Sequence, residues 1–283
     1  MTLTDRKPDW LKIKLPRKKL SAQVGGIVNQ HHLHTICTSG NCPNRGECWD
    51  YGTATFMICG DICTRACKFC NVTTGKPLPL DENEPENIAN AIKSLNLKHA
   101  VITSVDRDDV PDFGASHWAK VIRTVKQTNP NITLEVLIPD FQGKKELIDL
   151  VLREKPEVVS HNLETVRRLS KTVRSRATYE ISLEVIKHIA DLGVVSKSGI
   201  MLGLGETRDE ILQTMDDLLA VGCSVMTIGQ YLRPSKSNIE VQEYVHPAIF
   251  DEYGKIGKEK GFVHIESAPL VRSSYHAERH VNR

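Results

Sequence analysis

Residues 55–70 read Thr55-Phe-Met-Ile-Cys-Gly60-Asp-Ile-Cys63-Thr-Arg-Ala-Cys67-Lys-Phe-Cys70. The first half is a short apolar run stopped by glycine, the pattern of a buried strand. The second half sets three cysteines within eight residues on the loop that follows. Three thiolates at this spacing suit cluster iron and leave one ligand short. A closed structural site wants four protein ligands, whereas a catalytic site keeps one position open. Phe69, between two of the ligands, would shield the cluster or stack against something bound beside it.

Outward from this stretch, from about Ala54 to Pro234, β-branched runs alternate with longer amphipathic segments, the sign of repeated βα units and a parallel sheet. Strands are expected at 55–60, 100–105, 133–138, 158–162, 198–204 and 225–231. Helices are expected at 85–97, 116–128, 144–154, 179–192 and 207–221. Pro85 suits a first helical turn, Gly193 and Gly222 suit left-handed caps, and Ile211, Leu212, Met215, Leu218 and Leu219 share one helix face. The fold class is therefore α/β, a partial (β/α)6 TIM-type barrel with N- and C-terminal extensions: residues 1–53, then the barrel at 54–244, then 245–283. In such folds the functional groups sit on loops at the C-terminal ends of strands, which is where Cys63–Cys70 falls.

With 37 Lys and Arg against 35 Asp and Glu, the whole chain has no electrostatic footprint for nucleic acid or membrane. Only the opening stretch, with Lys12, Lys14, Arg17, Lys18 and Lys19, is locally basic. It contains Asp5 and Asp9 and lacks the apolar run of a secretory signal, and no segment has the length of a membrane span. A cytoplasmic protein is expected. Seven of the eight cysteines lie between Cys37 and Cys70, a local cluster that points to metal and a reducing compartment instead of a distributed disulfide framework.

A second incomplete triplet, Cys37-Thr-Ser-Gly-Asn-Cys42-Pro-Asn-Arg-Gly-Glu-Cys48, lies just upstream. CxxxCxxC after the first strand of a βα repeat resembles the radical S-adenosylmethionine (SAM) superfamily. The upstream triplet, Thr53-Ala-Thr-Phe-Met57, Thr103-Ser-Val-Asp-Arg-Asp-Asp109, Glu135-Val-Leu-Ile-Pro-Asp-Phe141, His161-Asn-Leu-Glu-Thr-Val166 and Val271-Arg-Ser-Ser-Tyr-His-Ala277 are together similar to the lipoyl synthase family. The likeness runs over nearly the whole chain and rests on the order and number of these short words.

The resemblance implies two 4Fe–4S clusters and S-adenosyl-L-methionine. Cys63, Cys67 and Cys70 would hold the cluster whose open iron chelates the methionine moiety. One electron then cleaves the sulfonium and releases a 5′-deoxyadenosyl radical. Cys37, Cys42 and Cys48 would hold an auxiliary cluster with Ser273 as fourth ligand; a hard oxygen donor on a soft cluster leaves more readily than a thiolate. Ser274 is the rival for that place, and spacing does not separate the two. The implied reaction is insertion of sulfur at C6 and C8 of an octanoyl chain on a lysine of a carrier, with the auxiliary cluster as donor. Implied partners are an octanoylated lipoyl-carrier domain or a glycine-cleavage H-type protein, an electron donor such as ferredoxin or flavodoxin, and an iron–sulfur carrier.

Asn162 and Glu164 fall at a strand end, where they would contact SAM or else cap a helix. Gly203 and Gly205 would bring backbone close to the cofactor, or form a turn. Arg174, Arg176 and Arg233 would meet acidic groups or solvent, and Asp106–Asp109 would form a salt-bridged loop or a substrate-proximal one. Cys59 and Cys223 read as small buried hydrophobes. Thr38-Ser39 and Phe113-Gly114 depart from the family pattern without removing a ligand. Two other readings stand at this point: another radical SAM enzyme with an auxiliary cluster, such as a methylthiotransferase, and a non-catalytic scaffold with structural zinc.

Overall fold

Strand β1 (His34–Thr35) opens the sheet and runs antiparallel to β2 (Thr55–Ile58), with His34 opposite Met57. The computed structural model describes residues 7–13, 20–51 and 53–280, so the basic residues Lys14 to Lys19 lie outside the described residues. Two short parallel strands, β3 (Ile62–Cys63) and β4 (Thr73–Thr74), frame the cysteine loop as a separate ribbon. Next come β5 (His99–Ser104), β6 (Thr133–Leu137), β7 (Val158–Ser160), β8 (Val195–Leu202), β9 (Val225–Gln230) and β10 (His264–Ser267). The main sheet has the order β1-β2-β5-β6-β7-β8-β9-β10, and every neighbouring pair after the first is parallel.

The six strands read from the sequence are all present, as β2 and β5 to β9. The seventh parallel strand, β10, comes from the segment expected to be a flanking extension. Its delivering helix, Pro247–Lys260, packs so tightly that a Cβ on Gly257 would lie 2.3 Å from Ile265 Cδ1. Glycine there weakens helix propensity, which is why local pattern hides the unit, and close packing overrides the propensity.

In chain order the helices are α1 (Leu20–Gln30), α2 (Ile36–Ser39), α3 (Arg45–Asp50), α4 (Glu84–Ser94), α5 (Ala115–Thr128), α6 (Lys145–Leu152), α7 (Arg167–Val173), α8 (Tyr179–Asp191), α9 (Arg208–Ala220) and α10 (Pro247–Lys260). The longer helices of the βα units, α4 to α6 and α8 to α10, bury one stripe each. On α5 that stripe is Trp118, Val121, Ile122 and Val125, all fully buried; each such side chain contributes about 1.5–3 kcal/mol relative to exposure. Thr207 caps α9 in a reciprocal capping box with Glu210. Gly193 (φ 74°) and Gly222 (φ 80°) take the expected left-handed conformation after α8 and α9.

Two apolar cores lie between sheet and helices, one around β2, β5 and β6 and the other around β8, β9 and β10. Alternate strand residues point the other way, into the barrel, and many are polar or small: Thr55, Thr103, Glu135, Gly199 and Thr227. Among the described residues β1 and β10 do not pair, so the sheet is open. The segment after β10 spans that seam. Pro269 O accepts from Gln230 N at 3.1 Å, Leu270 O accepts from Asn44 Nδ2 at 2.6 Å, and Ser274 Oγ accepts from Thr55 Oγ1 at 2.8 Å. No described helix is long and apolar enough to cross a membrane.

Candidate active site

A cavity of about 460 Å³ runs from the barrel interior to the loops after the strands, and its wall includes Cys37, Cys42, Cys63, Cys67, Cys70 and Ser273. The loop carrying the last three cysteines is held from several sides. Lys68 N donates to Val173 O at 2.9 Å and Ile239 N to Lys68 O at 3.0 Å; Asn238 Nδ2 donates to Cys70 O at 2.8 Å. Backbone amides face the sulfurs: Arg65 N at 3.4 Å and Asp106 N at 3.3 Å from Cys63 Sγ, and Val72 N at 3.4 Å from Cys70 Sγ. Amides aimed at thiolate sulfur are what an iron–sulfur cluster uses. Phe69 lines the cavity and packs against Val173, Leu204, Tyr231 and Val241, walling off the loop.

Burial and the Asp106 carboxylate push the Cys63 thiol up to about 12, and burial pushes Cys70 up to about 11. Metal binding must therefore displace protons from these groups. In the upstream triplet Cys37 sits in α2 and Cys48 in α3; burial, then Cys37 and Cys42, push Cys48 up to about 12. Cys48 is not part of the cavity wall. Asn71, next to Cys70, donates through Nδ2 to Ser39 O at 2.9 Å and so ties the two cysteine segments together. Among the described residues no three His, Cys, Asp or Glu side chains converge to grip one ion, whereas cluster ligands surround a volume and bind separate irons.

Asn162 joins the two halves. Its Nδ2 donates to Ser273 Oγ at 2.6 Å and to Glu164 Oε1 at 3.1 Å, while its Oδ1 is buried with no partner. Glu164 sits at φ 68°, held there by Glu164 N to Gly199 O (3.0 Å) and Met201 N to Glu164 O (2.9 Å). Burial raises its carboxyl pKa against the pull of Arg174 and Asn162. Neither residue is a helix cap: α7 begins at Arg167 with Val166 before it. Arg174, which also lines the cavity, donates to Ser182 Oγ at 2.6 Å.

His161 completes this buried network. Its Nδ1 lies 2.9 Å from Ile138 O and must donate to it, which leaves Nε2 to accept from Ser182 Oγ at 3.0 Å. Burial, then the Arg174 charge, push its pKa down to about 4. The folded protein thus binds this proton more weakly than the unfolded chain does. The stabilisation is complete above the unfolded value near 6.5 and is lost as pH falls towards 4, by roughly 3 kcal/mol. Urea unfolding at pH 7.5 and pH 4.5 should show wild type losing more stability than His161→Gln; equal losses would refute the neutral assignment.

Several site features escaped the sequence reading. Arg65, inside the cysteine motif, is fully engaged by Asp106, Asp108 and Asp140. The Asp106–Asp109 segment is accordingly a salt-bridged loop, with Arg107 also paired to Asp109 at 2.8 Å, and it also borders the cavity through Asp106. Lys197 and Glu135 form a buried pair at 2.6 Å within the sheet, and Glu135 faces the cavity. A charge in the middle of a strand run was the available signal for both. Arg176 pairs with Asp108 at 3.5 Å and Arg233 with Glu240 at 3.4 Å. Cys59 and Cys223 are buried as expected.

Gly203 and Gly205 lie outside the cavity wall. Both take left-handed backbone (φ 95° and 101°). A Cβ on Gly203 would lie 2.2 Å from Gln230 Nε2 and 2.3 Å from Glu243 O, so protein packing already requires glycine there.

Residues 57–218 match the radical SAM superfamily. The chain is 69% identical over 281 residues to the lipoyl synthase of Treponema denticola, covering 99% of this chain and 97% of that protein. It is 63% identical over 276 residues to the lipoyl synthase of Parabacteroides distasonis, covering 98% of each. Among solved structures the fold resembles SAM-bound SuiB of Streptococcus suis (TM-score 0.61, 10% identity, 80% of this chain, 54% of that one). It also resembles HydG, a maturase of the FeFe-hydrogenase (TM-score 0.59, 13% identity, 80% of this chain, 61% of that one). The radical SAM match spans most of the sheet, and the high identity extends through both cysteine triplets and the C-terminal strap: the chain belongs to the radical SAM superfamily and, within it, to the lipoyl synthases.

Proposed function

We propose that this protein inserts two sulfur atoms, at C6 and C8, into an octanoyl chain carried on a lysine of a lipoyl-carrier domain or glycine-cleavage H-type protein, in the cytoplasm. Radical SAM membership implies a 4Fe–4S cluster and S-adenosyl-L-methionine. When bound, they supply the 5′-deoxyadenosyl radical that abstracts hydrogen from unactivated carbon; the protein's part is positioning and exclusion. The observation that carries the reading is the shared chamber: Cys37 and Cys42 of the upstream triplet, all three cysteines of the loop, and Ser273 line one cavity wall.

Cys63, Cys67 and Cys70 hold the SAM cluster, with Phe69 excluding water from its loop. Asn162 and Glu164 hold polar groups of SAM, an assignment supported by the buried, unpartnered Asn162 Oδ1. Cys37, Cys42 and Cys48 hold the second cluster, which supplies the sulfur. Ser273 is its fourth ligand, the place the family resemblance gives it; both serines line the cavity, Ser273 Oγ accepting from Asn162 and Ser274 Oγ from Thr55. In this arrangement residues 1–53 carry the sulfur donor, 54–244 the radical site, and 245–283 the closing strap with its serine. Electrons come from a ferredoxin- or flavodoxin-type donor and the second cluster is rebuilt by an iron–sulfur carrier.

Single-turnover incubation of the anaerobically reconstituted protein with an octanoyl-lysine peptide, SAM and reductant tests this. Mass spectrometry should find paired sulfur addition with wild type and Ser274→Ala, and none with Ser273→Ala. Deoxyadenosine without any sulfurated peptide from wild type would sink the proposal.

A further inference from the structure

We propose that Arg65 is the positioning residue of the cysteine loop: its guanidinium fixes the two backbone amides that face the Cys63 sulfur, and so sets the reduction potential of the cluster bound there. The inference rests on the assignment of that cluster to Cys63, Cys67 and Cys70.

The guanidinium is buried and makes four hydrogen bonds and one further ion contact. Nε and Nη2 donate to the two oxygens of Asp108 at 2.8 and 2.9 Å. Nη1 and Nη2 donate to the two oxygens of Asp140 at 2.9 and 2.8 Å. Nη1 also lies 3.3 Å from Asp106 Oδ1. Arg65 belongs to the loop after β2, Asp106 and Asp108 to the loop after β5, and Asp140 to the loop after β6. One planar fork thus pins three adjacent strand-end loops. Thr64 adds to the seam, since its hydroxyl donates to Asp106 O at 2.9 Å and accepts from Asp108 N at 3.0 Å.

The two amides that face Cys63 Sγ belong to Arg65 and Asp106, the two residues this ion pair joins. Their spacing about the sulfur is therefore set by the guanidinium and by the carboxylates behind it. Hydrogen bonds to cluster sulfurs raise the reduction potential, and groups beyond the ligands orient them. Lysine cannot replace this fork, because its donors radiate from one atom and cannot bind two carboxylates side by side.

The test is an EPR-monitored redox titration of the reconstituted full-length protein, reading the signal that SAM perturbs so that the other cluster is set aside. In Arg65→Lys and in Asp140→Asn the reduced-to-oxidised ratio at a fixed potential should fall about tenfold, a shift of about 59 mV for one electron. The two variants discriminate positioning from bare charge. Arg65→Lys keeps its charge, and Asp140→Asn removes a negative one, which by itself would ease reduction. An unchanged midpoint in Arg65→Lys, or an unchanged or raised midpoint in Asp140→Asn, overturns the proposal. Should Arg65→Lys lose its cluster, Asp140→Asn, whose carboxylate reaches the cysteine loop through Arg65, carries the test. A wild-type signal insensitive to SAM would overturn the cluster assignment and this inference with it.

Discussion

Cys70→Ala should bring 5′-deoxyadenosine formation to background, with or without peptide, and abolish the SAM-perturbed EPR signal. Three thiolates are the minimum that holds a cubane while leaving its fourth iron open. Cys67 Sγ has Ser175 Oγ at 3.5 Å, whereas among the described residues Cys70 Sγ has only the Val72 amide as its hydrogen-bonding neighbour. On the proposed two-cluster arrangement total iron should fall to roughly half, because the other triplet is untouched. The rest of the loop stays anchored through Lys68 to Val173 and Ile239, so the loss is one of chemistry and not of fold. Wild-type levels of deoxyadenosine from this variant would remove Cys70 from the radical site.

The converse experiment is Cys37→Ala, Cys42→Ala and Cys48→Ala together. Here deoxyadenosine formation should persist, abortively, while sulfurated peptide disappears. Cys37 is buried in α2 and its truncation costs about 1 kcal/mol of packing, too little to unfold the barrel. The two variants together separate radical production from sulfur supply. Sulfurated product from the triple variant would show that sulfur comes from elsewhere. Loss of deoxyadenosine would show that the triplets act as one unit.

Most of the barrel was readable from residues alone because its signals are local. The apolar runs that became β2 and β5 to β9 alternate with helices whose buried stripes recur at helical spacing, and Thr207, Gly193 and Gly222 mark ends by their own chemistry. The cysteine spacing was equally plain, as it spans only eight residues. What stayed hidden is non-local. Arg65 meets its carboxylates across 43 and 75 residues, and nothing near Arg65 in sequence announces them. The α10–β10 unit hid behind Gly254 and Gly257, and α7 behind a length of seven residues, too short to display a period. The glycines at 203 and 205 stay ambiguous in sequence for a related reason. A turn beside a ligand and a turn beneath a protein loop ask for the same residue.

A closed barrel has its diameter dictated by strand number and shear, with no freedom left once the ladder is complete. Here the sheet ends at β1 and β10, and what spans the gap is a strap fastened through Leu270 and Ser274 to Asn44 and Thr55. The girth of the chamber is then a property of side-chain contacts and not of backbone register. The same few residues that present Ser273 also act as calipers, and a substitution among them resizes the space between the two triplets without moving a strand out of place.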